Sequence, residues 1–386
     1  MNNPHPAEAS DPDSHPNSSI LDRWGLTAQR RVCQRRNRLR NRLNSDRRDP
    51  ERDATLADVA EYAGVSSSTA SRALNGRGEF TAQTRAAVLE AAEALKFQPS
   101  VLARSLRTRT TFTVGFVVPD VASPFYAAAL KGAQGALEES GYRVMLMNSG
   151  QEVAGEVTAL QTLLSHQVDG LLLSTTGISV SRFEETVGRR GTPCVFFDSM
   201  LEGAGAGGVR IDNARGIDLL IDHLVSHGHK EIALLAGSLE ETSGRERLDA
   251  YHAAMDRHGL TVGLDRVRVC RWSQEAGRAE TLALLGLANR PTAIVASSAE
   301  LAVGCFAACR ERGLHLPADL AVVSFDDPYF GALLEPSLTA VAYDAGEVGS
   351  VAASLLVEAM REGHVRRELS IPVNLVRRRS CGCEDA

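Results

Sequence analysis

Short apolar runs that alternate with helix-patterned segments over residues 111–386 constrain this chain more than any other feature. The runs fall at Phe112–Pro119, Arg143–Asn148, Gly170–Thr175, Cys194–Asp198, Glu231–Ala236, Val267–Trp272, Ala293–Ser297 and Leu320–Asp326. Helical patterns fill many of the gaps, for example Ala127–Ser140, Ala214–His227 and Glu300–Arg312. Most runs are rich in Leu and β-branched residues at successive positions, as strands buried on both faces are. The alternation predicts a doubly wound α/β body with parallel sheets. One such sheet rarely needs this many strands. The turn-rich break near Gly203–Asn213 divides them into two lobes, the first over about 111–212 and 343–367, the second over about 213–342 and 368–386.

Open parallel sheets bind ligands beyond the carboxyl ends of their strands. The residues just past the runs are therefore candidates: Asp120, Phe125, Tyr126, Asn148, Thr175, Asp198, Arg247, Trp272, Ser298 and Asp326. Carboxylates and a guanidinium pair with vicinal hydroxyls, and an aromatic face covers the apolar side of a sugar ring. Taken singly, Asp198 or Asp326 also reads as a helix cap, and Trp272 as core.

Ahead of this body the texture changes. In Leu56–Ala63, apolar residues recur at i, i+3, i+4 and i+7, with Thr55 and Asp58 spaced as a capping box and Gly64 at the end. Ser66 can cap a second helix over 67–75, in which Ala70, Ala73 and Leu74 face inward. Thr81 opens a third helix to about Leu95, with Ala87, Val88, Ala91, Ala94 and Leu95 on its inner face. Two short helices joined by Ala-Gly-Val, with a third behind, make a helix-turn-helix unit over 54–99. Its second helix would enter the major groove of double-stranded DNA, with Ser67, Ser68 and Arg72 at base edges and Thr69 and Asn75 on phosphates. Residues 100–110 follow as a linker able to form a short hinge helix, with Leu106 a wedge for the minor groove and Arg104 on phosphate.

Charge agrees with this division. Residues 1–53 hold 11 Arg against 8 acidic residues, residues 54–110 hold 7 basic against 5 acidic, and the remainder holds 24 against 35. Only the front end suits an anionic polymer. Residues 1–19 have a disordered composition, and nine Arg crowd residues 30–48. That run reads as a solvated tail, or as translated sequence upstream of the true start, rather than as an RNA- or DNA-binding arm. Apolar stretches are too short to span a bilayer, and the first residues lack an apolar signal core, so a cytoplasmic protein with no membrane partner is expected. Seven cysteines, an odd number, fit a reducing compartment.

The run TLADVAEYAGVSSSTASRALNG and the following PSVLARSLRTR resemble the DNA-binding head and hinge of the lactose-repressor/galactose-repressor family. AGSLEETSGRERLDAYHAAM, CRWSQEAG, VVSFDD and LVRRRSCGC resemble that family's periplasmic-binding-protein-like effector domain, so that the resemblance covers nearly all of residues 54–383. It implies a sequence-specific transcription regulator, a homodimeric repressor on a pseudo-palindromic operator, controlled by a small molecule such as a sugar. It assigns major-groove reading to Ser67, Ser68 and Arg72 and minor-groove intercalation to Leu106, beside which Ala103 and Arg104 are further candidates for DNA contact. It places Asp120, Phe125, Tyr126, Arg247, Trp272 and Asp326 where relatives touch effectors. The chain departs from the family at Ser100, at Ser123, and at Ser297-Ser298-Ala299, where many relatives carry a polar Asn-Asp pair, which leaves the effector open.

Other motifs point nowhere. Gly203–Gly208 fits GxGxxG but does not join a strand to a helix, and reads as a connecting loop rather than a nicotinamide site. Cys381-Gly-Cys383 reads as an exposed tail and Cys305-x-x-x-Cys309 as one face of a buried helix; both lack the second pair a zinc site needs. No HExxH or nucleophile elbow appears, so neither cofactor, metal nor catalytic residue is expected. The competing class is a cytosolic solute-binding or NAD-dependent enzyme with an incidental helical front.

Overall fold

The structure is a computed structural model and describes residues 54–75, 78–97, 110–363 and 366–383. These fall into two compact units, 54–97 and 110–383. The expected Arg-rich extension and the hinge residues Ser100, Ala103, Arg104 and Leu106 lie outside the described residues.

The first unit is three helices, α1 (Leu56–Ala63), α2 (Ser67–Leu74) and α3 (Ala82–Ala94). At the start of α1, Asp58 N donates to Thr55 Oγ1 at 3.3 Å and Thr55 N donates to Asp58 Oδ2 at 2.8 Å, closing the capping box. Such a cap contributes about 1 kcal/mol. Gly64 ends α1 at φ 71°, where a Cβ would be strained. Val59, Ala60, Ala70, Ala73, Val88 and Ala91 form the core, with Val65, Leu74 and Leu95 packed on it. Ala94, expected inside, is exposed, and Ala92 packs instead.

The second unit contains two six-stranded sheets. The first has order β11-β5-β4-β3-β1-β2, from β1 (Thr113–Val118), β2 (Arg143–Asn148), β3 (Gly170–Leu173), β4 (Cys194–Phe197), β5 (Gly207–Ile211) and β11 (Glu368–Ile371). The second has order β12-β10-β9-β8-β6-β7, from β6 (Ile232–Leu235), β7 (Val267–Arg268), β8 (Ala293–Ala296), β9 (Ala321–Phe325), β10 (Thr339–Ala342) and β12 (Asn374–Val376). All pairs are parallel except β10 with β12. Eight helices connect the strands: α4 (Pro124–Glu139), α5 (Val153–Ser165), α6 (Val180–Val187), α7 (Asn213–Ser226), α8 (Thr242–Arg257), α9 (Gln274–Leu285), α10 (Ala299–Glu311) and α11 (Ala345–Glu362). The strand order reverses beside β1 in one sheet and beside β6 in the other. A doubly wound sheet opens its binding crevice at that switch point.

Three expectations need correction. Residues 207–211 are strand β5, not loop; their glycines disguise it because Gly208 lies where a Cβ would collide with Met200 and the Phe196 carbonyl. Residues 368–371 pair with β5 in the first sheet, so the last lobe crossing falls between Ile371 and Asn374 rather than at 367. Arg143–Asn148 is an edge strand with exposed positions, and Val267–Trp272 contracts to a two-residue strand.

Candidate functional site

Between the lobes lies a narrow cleft. Its walls are strand-end loops and the first two turns of α4, α8 and α10. Asp198 and Asp326 follow β4 and β9 directly and hold φ of 60° and 86°. Backbone strain of this kind on non-glycine residues is tolerated where surrounding structure holds it, commonly at functional sites. Tyr126 donates its hydroxyl to Asp198 Oδ2 at 3.0 Å, and Tyr343 donates to Asp326 Oδ1. Trp272 Nε1 donates to Glu241 Oε1 at 2.8 Å. Arg247 is 4% exposed and lies with its guanidinium carbon 3.8 Å from the Phe325 ring centroid. It donates from Nε to Asn213 Oδ1 at 2.8 Å and from Nη1 to the Ser297 carbonyl.

All eight residues expected at an effector site, Asp120, Phe125, Tyr126, Asp198, Arg247, Trp272, Ser298 and Asp326, line this one cleft. Asp198 and Asp326 cap no helix, so that alternative fails; Trp272 is partly buried and packs on the core of the second lobe while also lining the cleft, so both readings of it hold. Ser298 also has a structural task, since its Oγ accepts from Leu301 N at 3.3 Å to cap α10. Two other strand-end candidates serve loops instead. Asn148 Oδ1 accepts from Val121 N at 3.1 Å, and Thr175 donates to the buried Glu156 at 2.9 Å. Glu241, Glu300, Tyr343 and Gln151 also line the cleft and were missed. They lie in loops, at a helix start, or just after the unrecognised strand β10, where apolar periodicity carries no signal.

The cleft is strongly acidic. Asp120, Asp198, Glu241, Glu300 and Asp326 face a single guanidinium, Arg247. Burial, with the Asp198 carboxylate beside it, pushes Glu241 up to about 8. Burial also lifts Asp326 to about 7, against the pull of Arg247, and raises Asp198. Glu300 Oε1 is buried with no hydrogen-bond partner among the described residues. Asp198, Glu241 and Asp326 each accept one hydrogen bond, from Tyr126, Trp272 and Tyr343, and keep lone pairs for further donors. The lobes meet around them: Gln151 Nε2 donates to the Trp272 carbonyl at 3.1 Å, and Thr242 Oγ1 to the Met200 carbonyl at 2.7 Å.

In the first unit, Ser67, Ser68 and Arg72 are exposed along α2, as a groove-reading face requires. Arg72 Nε rests 3.4 Å from the Ser68 carbonyl, a weak tether on an exposed side chain. Thr69 Oγ1 lies 2.9 Å from Ser66 Oγ, and Asn75 Nδ2 donates to the Ser71 carbonyl at 2.6 Å, so a phosphate would have to compete for both. Gly207 and Gly208 of the GxGxxG run lie in β5, and no helix opens on them. The Cys381-Gly-Cys383 segment is not an exposed tail: Cys381 is buried, and both sulfurs lie against histidines of the α7 end.

A compact three-helix head and a two-lobed body with a polar interlobe cleft define a DNA-binding regulator with a ligand-binding body. Residues 55–100 match the model for bacterial regulatory proteins of the lacI family, and residues 221–381 that of the periplasmic binding protein-like domain. The catabolite control protein A of Priestia megaterium is 31% identical over 311 residues, covering 80% of this chain and 93% of the relative. The ribose operon repressor of Escherichia coli K12 is 31% identical over 316 residues, covering 82% and 96%. Among solved structures, a lac repressor dimer bound to operator and the anti-inducer ONPF superposes with a TM-score of 0.78 at 27% identity, covering 86% of this chain and 99% of that one. The chain belongs to the LacI family of transcription regulators. The ribose operon repressor and the lac repressor are transcription regulators rather than enzymes, which removes the NAD-dependent enzyme alternative. No helix among the described residues is long and apolar enough to cross a membrane.

Proposed function

We propose that this chain is a cytoplasmic repressor whose hold on a pseudo-palindromic operator is set by a small, polyhydroxylated, non-anionic molecule, a sugar or sugar derivative, bound between the lobes. The observation that carries this reading is the cleft's composition: buried carboxylate acceptors, one guanidinium, and the Trp272 and Phe125 rings. Hydroxyl groups satisfy such oxygens, whereas a phosphate would meet five acidic side chains, Glu241 holding its proton at neutral pH, and one cation already engaged by Asn213 and Ser297.

Control follows from linkage. The ligand must bind two lobe arrangements with different affinity, and the operator must favour one of them. Residues between the two units, Leu106 among them, would carry the bias to a pair of heads on successive half-sites. Edge strand β2 leaves Leu146 exposed and is suited to be covered by a second copy. A gel-shift on the gene's own upstream DNA, with and without a panel of neutral and phosphorylated sugars, tests the reading. Release or tightening by a neutral sugar supports it; response only to an anionic effector refutes it.

A further inference from the structure

Outside the cleft, the end of α7 and the chain's last described residues bring four metal-type ligands together. Nε2 of His223 lies 3.1 Å from Cys381 Sγ and 3.6 Å from Cys383 Sγ. Nε2 of His227, one helical turn on, lies 3.3 Å from Cys383 Sγ. The ligand atoms of His223, Cys381 and Cys383 all fall within 4.8 Å of one another. Zinc bonds of about 2.3 Å to sulfur and 2.0–2.1 Å to nitrogen give a tetrahedral N···S edge of about 3.5 Å, and the three separations bracket it.

Local structure aims these atoms at one point. His223 and His227 are four residues apart on one helical face, with ring centroids 4.7 Å apart. Gly382 has φ 95°, a turn that β-carbon-bearing residues rarely make, and it returns the second sulfur to the side of the first. Thiol–imidazole hydrogen bonds account for the cluster poorly. A ring nitrogen offers one hydrogen or one lone pair, yet His223 Nε2 stands against two sulfurs, and Cys383 stands against two rings. A cation at the common point serves all four.

We propose that His223, His227, Cys381 and Cys383 form a Cys₂His₂ site for a zinc-type divalent cation. Four protein ligands leave no open position, so the site is structural rather than catalytic. It would clip the segment after the last lobe crossing onto α7 of the second lobe. Cys381 and His223 are buried, while His227 is exposed and Cys383 half-buried, which leaves an entry path from solvent. Around Cys381 Sγ, Thr339 Oγ1 lies at 3.0 Å and gives its hydrogen to the Arg378 carbonyl at 2.8 Å, so that cation binding would have to displace the Cys381 thiol proton now directed at that carbonyl.

The test uses the full chain, reduced, stripped with a chelator, then loaded with zinc or cobalt(II) and desalted. About one zinc per chain should remain, with a rise in thermal midpoint, and cobalt should give thiolate charge-transfer and tetrahedral ligand-field bands. His227→Ala and Cys383→Ser sit at accessible positions; each should weaken retention at least about tenfold, while circular dichroism and operator binding stay unchanged. Absence of stoichiometric metal in the reduced protein would overturn the site. So would cobalt spectra unchanged in the double variant, or a Cys381–Cys383 disulfide that persists under thiol reductant.

Discussion

Arg247 donates through Nε to Oδ1 of Asn213 at 2.8 Å, which ties the cleft's single guanidinium to the first residue of α7, just past a lobe crossing. Asn213 Nδ2 donates in turn to Glu246 Oε2 at 2.7 Å, Glu246 pairs with Arg210, and Arg210 Nε reaches Glu368 Oε2 at 2.8 Å. Arg210 and Glu368 belong to β5 and β11 of the first sheet. A ligand that pulls on Arg247 therefore pulls on a polar chain spanning both lobes. Asn213→Ala leaves a buried guanidinium N–H without its acceptor and should cost about 1–3 kcal/mol. Urea unfolding measures the loss, and an operator titration with ligand present should show weakened coupling; full stability and unchanged coupling would contradict the link.

Trp272 rests where Gly237 has φ 75° and where a Cβ on Gly237 would come within 2.1 Å of the ring. Gly237→Ala should displace the indole and mimic Trp272→Ala. Both variants should lose ligand response, by about tenfold or more in affinity, while ligand-free operator binding persists. Loss of operator binding in a folded variant would show that the ring serves the fold instead.

Arg72 is the exposed cation of α2. Arg72→Ala should relax preference at one base pair per half-site and cost about 1–3 kcal/mol there. Binding to a library of operator variants measures this. An unchanged preference would remove Arg72 from base reading.

Glu241 holds its proton up to about 8 against an ordinary value of 4.5, chiefly because it is buried and secondly because Asp198 faces it. The folded state thus binds more protons than the unfolded one between these values. Its contribution is fully present below 4.5 and is lost as pH rises through about 8. Hydroxyl donors from a ligand favour the charged carboxylate, so binding at neutral pH should release protons and tighten as pH rises toward 8. Calorimetry in two buffers of different ionisation enthalpy reads the release directly. Glu241→Gln should abolish its share, and proton uptake on binding would reverse the assignment.

The two-lobe body and the head were legible because their signals are local. β1, β6, β8 and β9 are apolar at successive positions, and Thr55, Asp58 and Gly64 bracket α1 chemically. Strand ends then pointed to Asp198 and Asp326, since a doubly wound sheet puts its ligands there, while Arg247 reaches the same cleft from the second turn of α8. What escaped was set by pairing across distance. β5 is glycine-rich because Met200 and the Phe196 carbonyl occupy the space of a side chain on Gly208. β11 is short and mostly exposed, and only its register with β5 assigns it to the first lobe. Glu300 is the second residue of α10, with no pattern to mark it. The Cys381–Cys383 pair found its histidines 158 residues upstream of Cys381 in His223, a distance no spacing rule spans.

Reciprocal coupling tests the central claim most directly. Fluorescence anisotropy gives operator affinity with and without the effector sugar, and calorimetry gives sugar affinity with and without operator. The account predicts that both ratios are equal and at least about fivefold. Two ratios of one, with the sugar still bound in the cleft, would mean that head and cleft do not communicate.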